Sequence, residues 1–403
     1  MKRRCYRFPM IKTTNAALFF LAAGILTSVT VLSVYQILFA FPLIYFTYQA
    51  FKNNEYQLPK SGYWLFAFFL VALLSLVINF DIIPKPSKNF GRLKYFLFGI
   101  AGIYVFRVWL NEATLKTKTI LANTFLVSII AAALFACYQF WFKGDLRPKG
   151  FTDTMRYGYG SGMLLLTLLS ALIHQRRLPW LNWGFALAAF IMGFIGMYLT
   201  FTRGAFLGFL SGLPFVLYYY RPKIAYGVAV LAIVIGSVLG YFYFFGNQDQ
   251  GEGSRYLMSK ENSGDVIRRS QWKAAMIATQ ERPLLGYGFS NFHSQLKRIK
   301  NDYDLDAKEY DDAHSHNLFL EIASGTGLIG LFIFLGWVIS WAWESFRSDK
   351  IKASMVIPFG VAWVVSSQFE VTFDANNASM IFFFYAISSA IRIPSSSSQV
   401  HPR

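Results

Sequence analysis

Two histidines lie where a polar segment meets a long apolar run. His314 and His316 directly precede an apolar stretch that ends near Trp343. An imidazole titrates near neutral pH and can accept a proton from a hydroxyl group, so His316 is a candidate general base. The alternative is a histidine that caps or packs against the start of a helix. If a helix has already begun at His316, His314 points away from it.

Two arginines elsewhere in the chain could bind phosphate. Arg203 lies in a short turn, residues 200–204, between two apolar runs. A guanidinium stays charged at any working pH and offers a planar fork that matches phosphate oxygens. Arg268 and Trp272 are four residues apart on the predicted amphipathic helix 266–281, so both project from one face. The alternatives are an arginine that snorkels at a helix end and a helix that only lies in the membrane surface.

Metal and cofactor chemistry finds little support in the sequence. There is no glycine-rich phosphate loop, no serine nucleophile elbow, and no cysteine or histidine cluster with zinc spacing. Residues 301–306 carry side-chain oxygen atoms at alternating positions but lack the glycine and the spaced glutamate of an EF-hand loop. We interpret this segment as a solvated acidic loop, with calcium binding as the alternative. We therefore predict no metal and no cofactor.

The elements that must position these residues are apolar helices. Apolar residues make up 55% of the chain, charged residues make up 15%, and the mean hydropathy is +0.39, which excludes a soluble protein. Windows of about 20 residues, the length that crosses a bilayer, predict an all-α bundle of about twelve transmembrane helices. The predicted segments begin near Asn15, Tyr35, Tyr63, Leu93, Ile120, Tyr157, Trp180, Ala205, Ile224, His316, Ser354 and Ala378.

The distribution of charge predicts the topology. The net charge is +17, but the basic residues are spread over short loops, which speaks against a nucleic-acid partner. Most of these loops fall on one side if both termini are cytoplasmic. One large outer loop, 246–315, then separates helices 1–9 (1–245) from helices 10–12 and a tail (316–403). Two other predicted outer loops are also basic. One carries Lys85, Lys88 and Arg92, and the other carries Lys143, Arg147, Lys149 and Arg156. Either outer loops tolerate some positive charge, or these loops attract a polyanion at the outer leaflet.

Three short segments, in their order along the chain, resemble the bacterial O-antigen ligase and polymerase family, whose members move a glycan off a lipid pyrophosphate. They are Thr202-Arg203-Gly204, then 268–272 continuing into 282–292, then His316-Asn317 through 325–330. A weaker segment, 147–151 followed by Tyr157-Gly158, is more similar to the ligases. The rest of the chain matches the family only in hydropathy.

This resemblance implies the roles of particular residues. The family's essential arginines correspond to Arg203 and Arg268, and its essential histidine corresponds to His316. Arg269 is the alternative to Arg268 because the register there is uncertain by one residue. We expect the substrate-binding residues to include Arg147, Arg269, Trp272, His314 and Asn317.

The resemblance also implies a reaction. A ligase would transfer an O-antigen glycan from undecaprenyl pyrophosphate to lipid A-core, without a metal and with inversion, in lipopolysaccharide biosynthesis. The site would face the periplasm from the bacterial inner membrane and would be surrounded by membrane lipids. The alternatives are an O-antigen polymerase or related oligosaccharyltransferase and, from another class, a lipid-linked glycan flippase or other transporter.

Overall fold

The chain folds into helices in the computed structural model, which describes residues 2–225, 227, 263–306, 314–373 and 375–390. No strand occurs in these residues. Two 3₁₀ helices, Phe80–Ile82 and Gln175–Arg177, accompany the following α-helices: α1 Lys2–Gly24, α2 Val29–Lys52, α3 Lys60–Ile78, α4 Pro86–Arg92, α5 Lys94–Glu112, α6 Leu115–Lys143, α7 Thr154–Ile173, α8 Trp183–Leu199, α9 Arg203–Tyr220, α10 Ser263–Glu281, α11 Phe292–Asp302, α12 Leu318–Phe346, α13 Lys350–Ser366 and α14 Ala375–Ala390.

Within the described residues, five helical stretches are long and apolar enough to cross a membrane. They are Val29–Lys52, Lys60–Ile78, Pro86–Glu112, Leu115–Lys143 and Leu318–Phe346. The all-helical class and the multi-pass membrane character are therefore confirmed. Each predicted segment falls on a helix except the one near Ile224, most of which lies outside the described residues. The count of twelve spans and the three-part division of the chain stay predictions.

Polar side chains set several of the helix starts. Asp153 accepts hydrogen bonds from the backbone N–H groups of Met155 and Arg156 at the start of α7, and Asp349 caps α13 in the same way. Such caps satisfy N–H groups that have no partner inside the helix. The predicted amphipathic helix 266–281 is observed as α10, which begins three residues earlier, at Ser263.

Helices α9 and α13 approach closely because α9 carries small residues at the contact. A Cβ atom on Gly208 would lie 2.9 Å from the carbonyl oxygen of Ala362, and one on Gly212 would lie 2.7 Å from that of Pro358. Membrane helices use small residues in this way because van der Waals packing holds them together in lipid. An aromatic core lies beside this pair and includes Phe96, Phe334, Trp337, Trp363 and Phe382.

Helix α12 is interrupted in its N-terminal part. Gly327 has φ +70° and ψ −175°, a conformation that is essentially restricted to glycine. The interruption frees backbone carbonyls that a regular helix would have satisfied. Two of them, on Ser324 and Gly325, accept hydrogen bonds from the N–H groups of Tyr287 and Gly288, each at 2.9 Å. The loop after α10 thus completes the hydrogen bonding of α12.

We call residues 283–288 and 324–328 together the crossover. The N–H of Leu328 donates to the carbonyl oxygen of Pro283 at 2.7 Å, beyond the break in the helix. Ser75 of α3 braces the crossover, since its hydroxyl lies 2.7 Å from the carbonyl oxygen of Gly325. An unsatisfied backbone group costs several kcal/mol in lipid, so these bonds allow α12 to be broken at this depth.

Glycines at the crossover leave room for backbone to touch backbone. A Cβ atom on Gly286, where φ is +61°, would lie 2.5 Å from the carbonyl carbon of Gly325, and one on Gly327 would overlap the carbonyl oxygen of Leu284. The glycine-containing segments 282–292 and 325–330, noted in the sequence as separate motifs, therefore form one contact. This contact fixes α10, which carries Arg268, relative to α12.

Candidate active site

The carboxylate of Glu370 bridges the two histidines. Its Oε1 lies 3.0 Å from Nε2 of His314, and its Oε2 lies 3.2 Å from Nδ1 of His316. The ring centroids of the histidines are 4.3 Å apart. A helix that had begun at His316 would turn His314 away, but α12 begins only at Leu318 and His316 has a left-handed backbone with φ +49°, so both rings reach the carboxylate.

The start of α12 holds this group in place. Asn317 caps the helix by accepting hydrogen bonds from the N–H groups of Phe319 and Leu320, at 3.0 and 3.1 Å. The N–H of Leu318 donates to the carbonyl oxygen of Ser367 at 2.8 Å, which ties α12 to the loop that carries Glu370. Capping is therefore the role of Asn317, and His316 is left available for chemistry.

The hydrogen bonds specify where protons lie on the rings. The backbone N–H of His316 points at Nδ1 of His314 at 3.2 Å, so a neutral His314 carries its proton on Nε2 and donates it to Glu370. His316 donates from Nδ1 to the other carboxylate oxygen. In a neutral His316 ring, Nε2 then holds a lone pair that can accept a proton.

The charge of Glu370 is stabilised by its partners. Burial alone would raise the pKa of this carboxyl group, but the hydrogen bonds from His314 and His316 outweigh burial and hold the pKa well below its usual range. Burial also opposes protonation of His314, yet its hydrogen bond to Glu370 and the charges of Glu370 and Glu321 raise its pKa overall. Glu370 is therefore ionised at any working pH.

His314, His316 and Glu370 also present one ligand atom each within 4.8 Å of one another, a spacing that could hold a metal ion. Two histidines and a carboxylate are common ligands of transition metals. A metal would need a lone pair on Nε2 of His314, where the neighbouring N–H group favours a proton. The donor set therefore fits a hydrogen-bonded group better than a metal centre.

The structure brings three predicted arginines together from three segments. Arg147 lies in the loop between α6 and α7, Arg203 is the first residue of α9, and Arg268 lies on α10. Desolvation, and then the charges of Arg268 and Arg203, lower the pKa of Arg147. The three guanidinium groups therefore lie near enough for their charges to interact. We call these residues the arginine cluster; it is a site of high positive potential suited to an oligoanion.

Tyr159 of α7 connects the arginine cluster with Glu370. Its hydroxyl group interacts electrostatically with Glu370, Arg268 and Arg147. A Cβ atom on Gly204 would lie 3.0 Å from the ring of Tyr159 and 3.1 Å from Cβ of Phe369. The turn that carries Arg203 therefore lies against the loop that carries Glu370, and the cations and the histidines belong to one site.

The remaining predicted residues of α10 are less closely tied to this site. Arg269 is exposed, whereas Arg268 is half-buried and interacts with Arg147. Trp272 is half-buried, and its enclosed ring N–H has no hydrogen-bond acceptor within the described part of the chain. The structure thus favours Arg268 over Arg269 in the uncertain register.

The histidines open into a cavity of about 480 Å³. His314, His316 and Glu370 form part of its wall, and Lys88 and Arg92 of α4 form another part. Arg147, Arg203 and Arg268 are not among its lining residues. A reactant in the cavity would therefore contact His316 without lying against the arginine cluster.

Residues 187–335 match the model of a known family, described as O-antigen ligase. This part of the chain is similar to the O-antigen ligase family. The match runs from α8 into α12 and includes Arg203, Arg268 and His316, so the resemblance seen in the sequence is confirmed, without distinction between ligase and polymerase. Similarity to the O-antigen ligase family supports a membrane glycan-processing function. No curated protein matches the chain.

Sequence reasoning missed two residues of this site. Glu370 lies beyond the matched segment and outside every motif, and Tyr159 lies in an apolar run. A signal for Glu370 was present, since an acidic residue between the last two apolar runs is costly near a membrane unless it has a hydrogen-bond or ion-pair partner. No comparable pattern in the sequence pointed to Tyr159.

Proposed function

We propose that the protein is an O-antigen ligase, which transfers a glycan from undecaprenyl pyrophosphate to a hydroxyl group of lipid A-core. The observation that carries the proposal is the position of His316, which is hydrogen-bonded to Glu370 through Nδ1, faces the cavity, and lies next to the arginine cluster. A base, an anion site and room for a reactant therefore meet at one place. Glycosyl transfer from a lipid pyrophosphate requires all three.

In this mechanism His316 and Glu370 activate the acceptor. Nε2 of His316 takes the proton of the acceptor hydroxyl as its oxygen attacks the anomeric carbon. Glu370 holds the ring in the required tautomer and stabilises the imidazolium that forms, as a buried carboxylate does in a catalytic triad. His314 shares the carboxylate and helps to fix its orientation.

The arginine cluster acts on the leaving group. As the new C–O bond forms, the bond between the anomeric carbon and the pyrophosphate oxygen breaks, and negative charge builds on the pyrophosphate. Preorganised guanidinium groups stabilise such charge. A single displacement of this kind inverts the anomeric centre. Arg203 and Arg268 are the proposed main contacts, and Arg147, Trp272 and Asn317 are proposed to contact or position substrate.

The proposed topology follows from the basic loops. Lys52, Arg177 and Lys350 would lie on the cytoplasmic side of the inner membrane with both termini, and Asp306 and the site would face the periplasm. Cysteine substitutions in a variant without Cys5 and Cys137, treated with an impermeant thiol reagent, test this arrangement. Labelling in intact spheroplasts at position 350 but not at position 306 would reverse it.

Transfer can be tested with purified protein, lipid-linked O-antigen and lipid A-core. The proposal predicts release of undecaprenyl pyrophosphate together with extension of the acceptor. Translocation of the donor in vesicles without release would instead identify a transporter.

A deletion strain separates the two family functions. Loss of every O-antigen rung from lipopolysaccharide is expected for a ligase. A single remaining rung would identify a polymerase, which uses the same chemistry with a different acceptor.

A further inference from the structure

Two cations of α4 line the same cavity as the histidines. Lys88 and Arg92 are four residues apart on α4, so they project from one face of this short helix, and both line the cavity with His316. The charge of Arg92 also acts on His314. Neither cation forms an ion pair within the described residues.

The acidic residues of the cavity are engaged elsewhere. Asp153 pairs with Arg156 at 2.8 Å, and Glu370 binds the two histidines. Glu321 is buried and accepts a hydrogen bond from the backbone N–H of Ser315 at 3.0 Å. Lys88 and Arg92 are therefore positioned to attract an anion from outside the protein.

Helix α4 is anchored in a fixed position. Asn89, between the two cations, is buried and donates from its side-chain nitrogen to the carbonyl oxygen of Phe289 at 3.0 Å. Phe289 directly follows the crossover, so the same contact that orients α12 also orients α4. The two cations consequently have a defined relation to His316.

We propose that Lys88 and Arg92 form a subsite for a phosphate group on the acceptor saccharide. The assignment rests on the proposed transfer reaction. In a single displacement the nucleophile and the leaving group lie on opposite faces of the reacting carbon. The base contacts the nucleophile, so the acceptor occupies the cavity in front of His316, while the pyrophosphate lies at the arginine cluster. An anion held by Lys88 and Arg92 places a neighbouring hydroxyl group at Nε2 of His316.

Kinetics with a phosphorylated lipid A-core and with the same acceptor after chemical dephosphorylation test the subsite. Lys88→Gln and Arg92→Gln are each expected to raise the KM for the phosphorylated acceptor about tenfold, because each removes one charge-assisted contact. The KM for the dephosphorylated acceptor and the KM for the donor should not change. Lys85→Gln is the matched control, since Lys85 carries the same charge beside α4 and does not line the cavity.

Equilibrium binding of the phosphorylated acceptor, without donor, separates the subsite from the reaction. If the protein binds the phosphorylated acceptor through Lys88 and Arg92 but never transfers a glycan, the subsite is supported and the proposed function is overturned. If the Lys88→Gln and Arg92→Gln variants turn over with the same KM for the phosphorylated acceptor as Lys85→Gln, the subsite is overturned. A change in donor KM instead would assign the two cations to the pyrophosphate, and competition by phosphatidylglycerol at the affinity of the acceptor would assign them to a lipid headgroup.

Discussion

The N-terminal part of α12 has two supports of different chemical kinds. At the crossover, backbone touches backbone, and N–H groups of residues 287 and 288 complete the hydrogen bonding of a broken helix. About two and a half turns before the break, at the start of the helix, the support comes from side chains, with two imidazoles sharing the carboxylate of Glu370. The crossover requires glycines, which have no side chain, whereas the support at the helix start requires two histidines and a glutamate.

The difference separates stability from chemistry. The crossover determines where α10, α4 and α12 lie, and through them where Arg268, Arg92 and His316 lie, but it contributes no reactive group. The histidines and Glu370 contribute reactive groups on loops whose positions other contacts have fixed. Substitutions at the crossover should therefore reduce the yield of folded protein. Substitutions at the histidines or at Glu370 should reduce the rate of transfer per folded molecule.

The largest effect is expected for Gly327→Ala. The substitution puts a Cβ atom into the carbonyl of Leu284 and requires a backbone conformation that alanine avoids at a cost of roughly 1–3 kcal/mol, before any clash. We expect loss of most folded protein, measured by size-exclusion chromatography in detergent. Gly360→Ala is the control, because nothing lies within 4 Å of a Cβ atom there. Equal yields from the two variants would show that the crossover is dispensable.

Substitutions in the arginine cluster should lower the rate of transfer without reducing the amount of folded protein. Removing one oriented charge from a transition state costs about a hundredfold in rate, so Arg203→Ala and Arg268→Ala should each reduce turnover by roughly that factor. Lysine replacements should recover little, since an ammonium lacks the planar fork that grips phosphate. Arg269→Ala is the matched control, and assays of purified protein should find it near wild type. If Arg269→Ala is the inactive variant, the register of the family motif is shifted by one.

Glu370→Gln tests whether the carboxylate orients the base. Without the charge, His316 loses its fixed tautomer and the imidazolium loses its counter-ion, so turnover should fall at least about tenfold. Single-turnover transfer, normalised to folded protein, measures this loss, and donor affinity should not change because the arginine cluster is untouched. Wild-type turnover in the variant would make Glu370 a purely structural residue.

The smallest effect is a pH-dependent difference in thermal stability. The lowered pKa of Glu370 stabilises the fold above the ordinary value of 4.5, and the raised pKa of His314 stabilises it below the ordinary value of 6.5. The stabilisation fades as the pH rises through the folded pKa of His314 or falls through that of Glu370. The Tm of wild type should therefore exceed that of Glu370→Gln more at about pH 5.5 than at about pH 8.5, by on the order of 1 °C, since solvent screens the partly exposed His314. An equal difference at both pH values would contradict this linkage.

The sequence predicted the helices well because membrane helices must be apolar over a fixed length. It also singled out Arg203, Arg268 and His316 as candidate site residues, because their types and spacing are informative wherever they fall, and their roles stay predictions. It could not give the direction of His314, which depends on where a helix begins: α12 starts two residues after His316, and both rings reach Glu370.

Contacts between distant segments were beyond sequence reasoning. Glu370 lies 54 residues from its partner His316, and no local pattern pairs them. The glycines of residues 282–292 and 325–330 were visible as motifs, but only the folded chain shows that they meet. Arg92 was noted as an outer-loop charge, and its place in the same cavity as the histidines follows from the anchoring of α4 by Asn89.

The most direct test of the account compares single-turnover transfer and donor affinity in His316→Ala and His314→Ala, each normalised to folded protein. If His316 is the base, His316→Ala should lose roughly two to four orders of magnitude in rate while binding the lipid-linked donor normally. His314→Ala should lose less, because Glu370 still orients His316. A His316→Ala variant that turns over like wild type, or inactivity confined to His314→Ala, would contradict the assignment of the base.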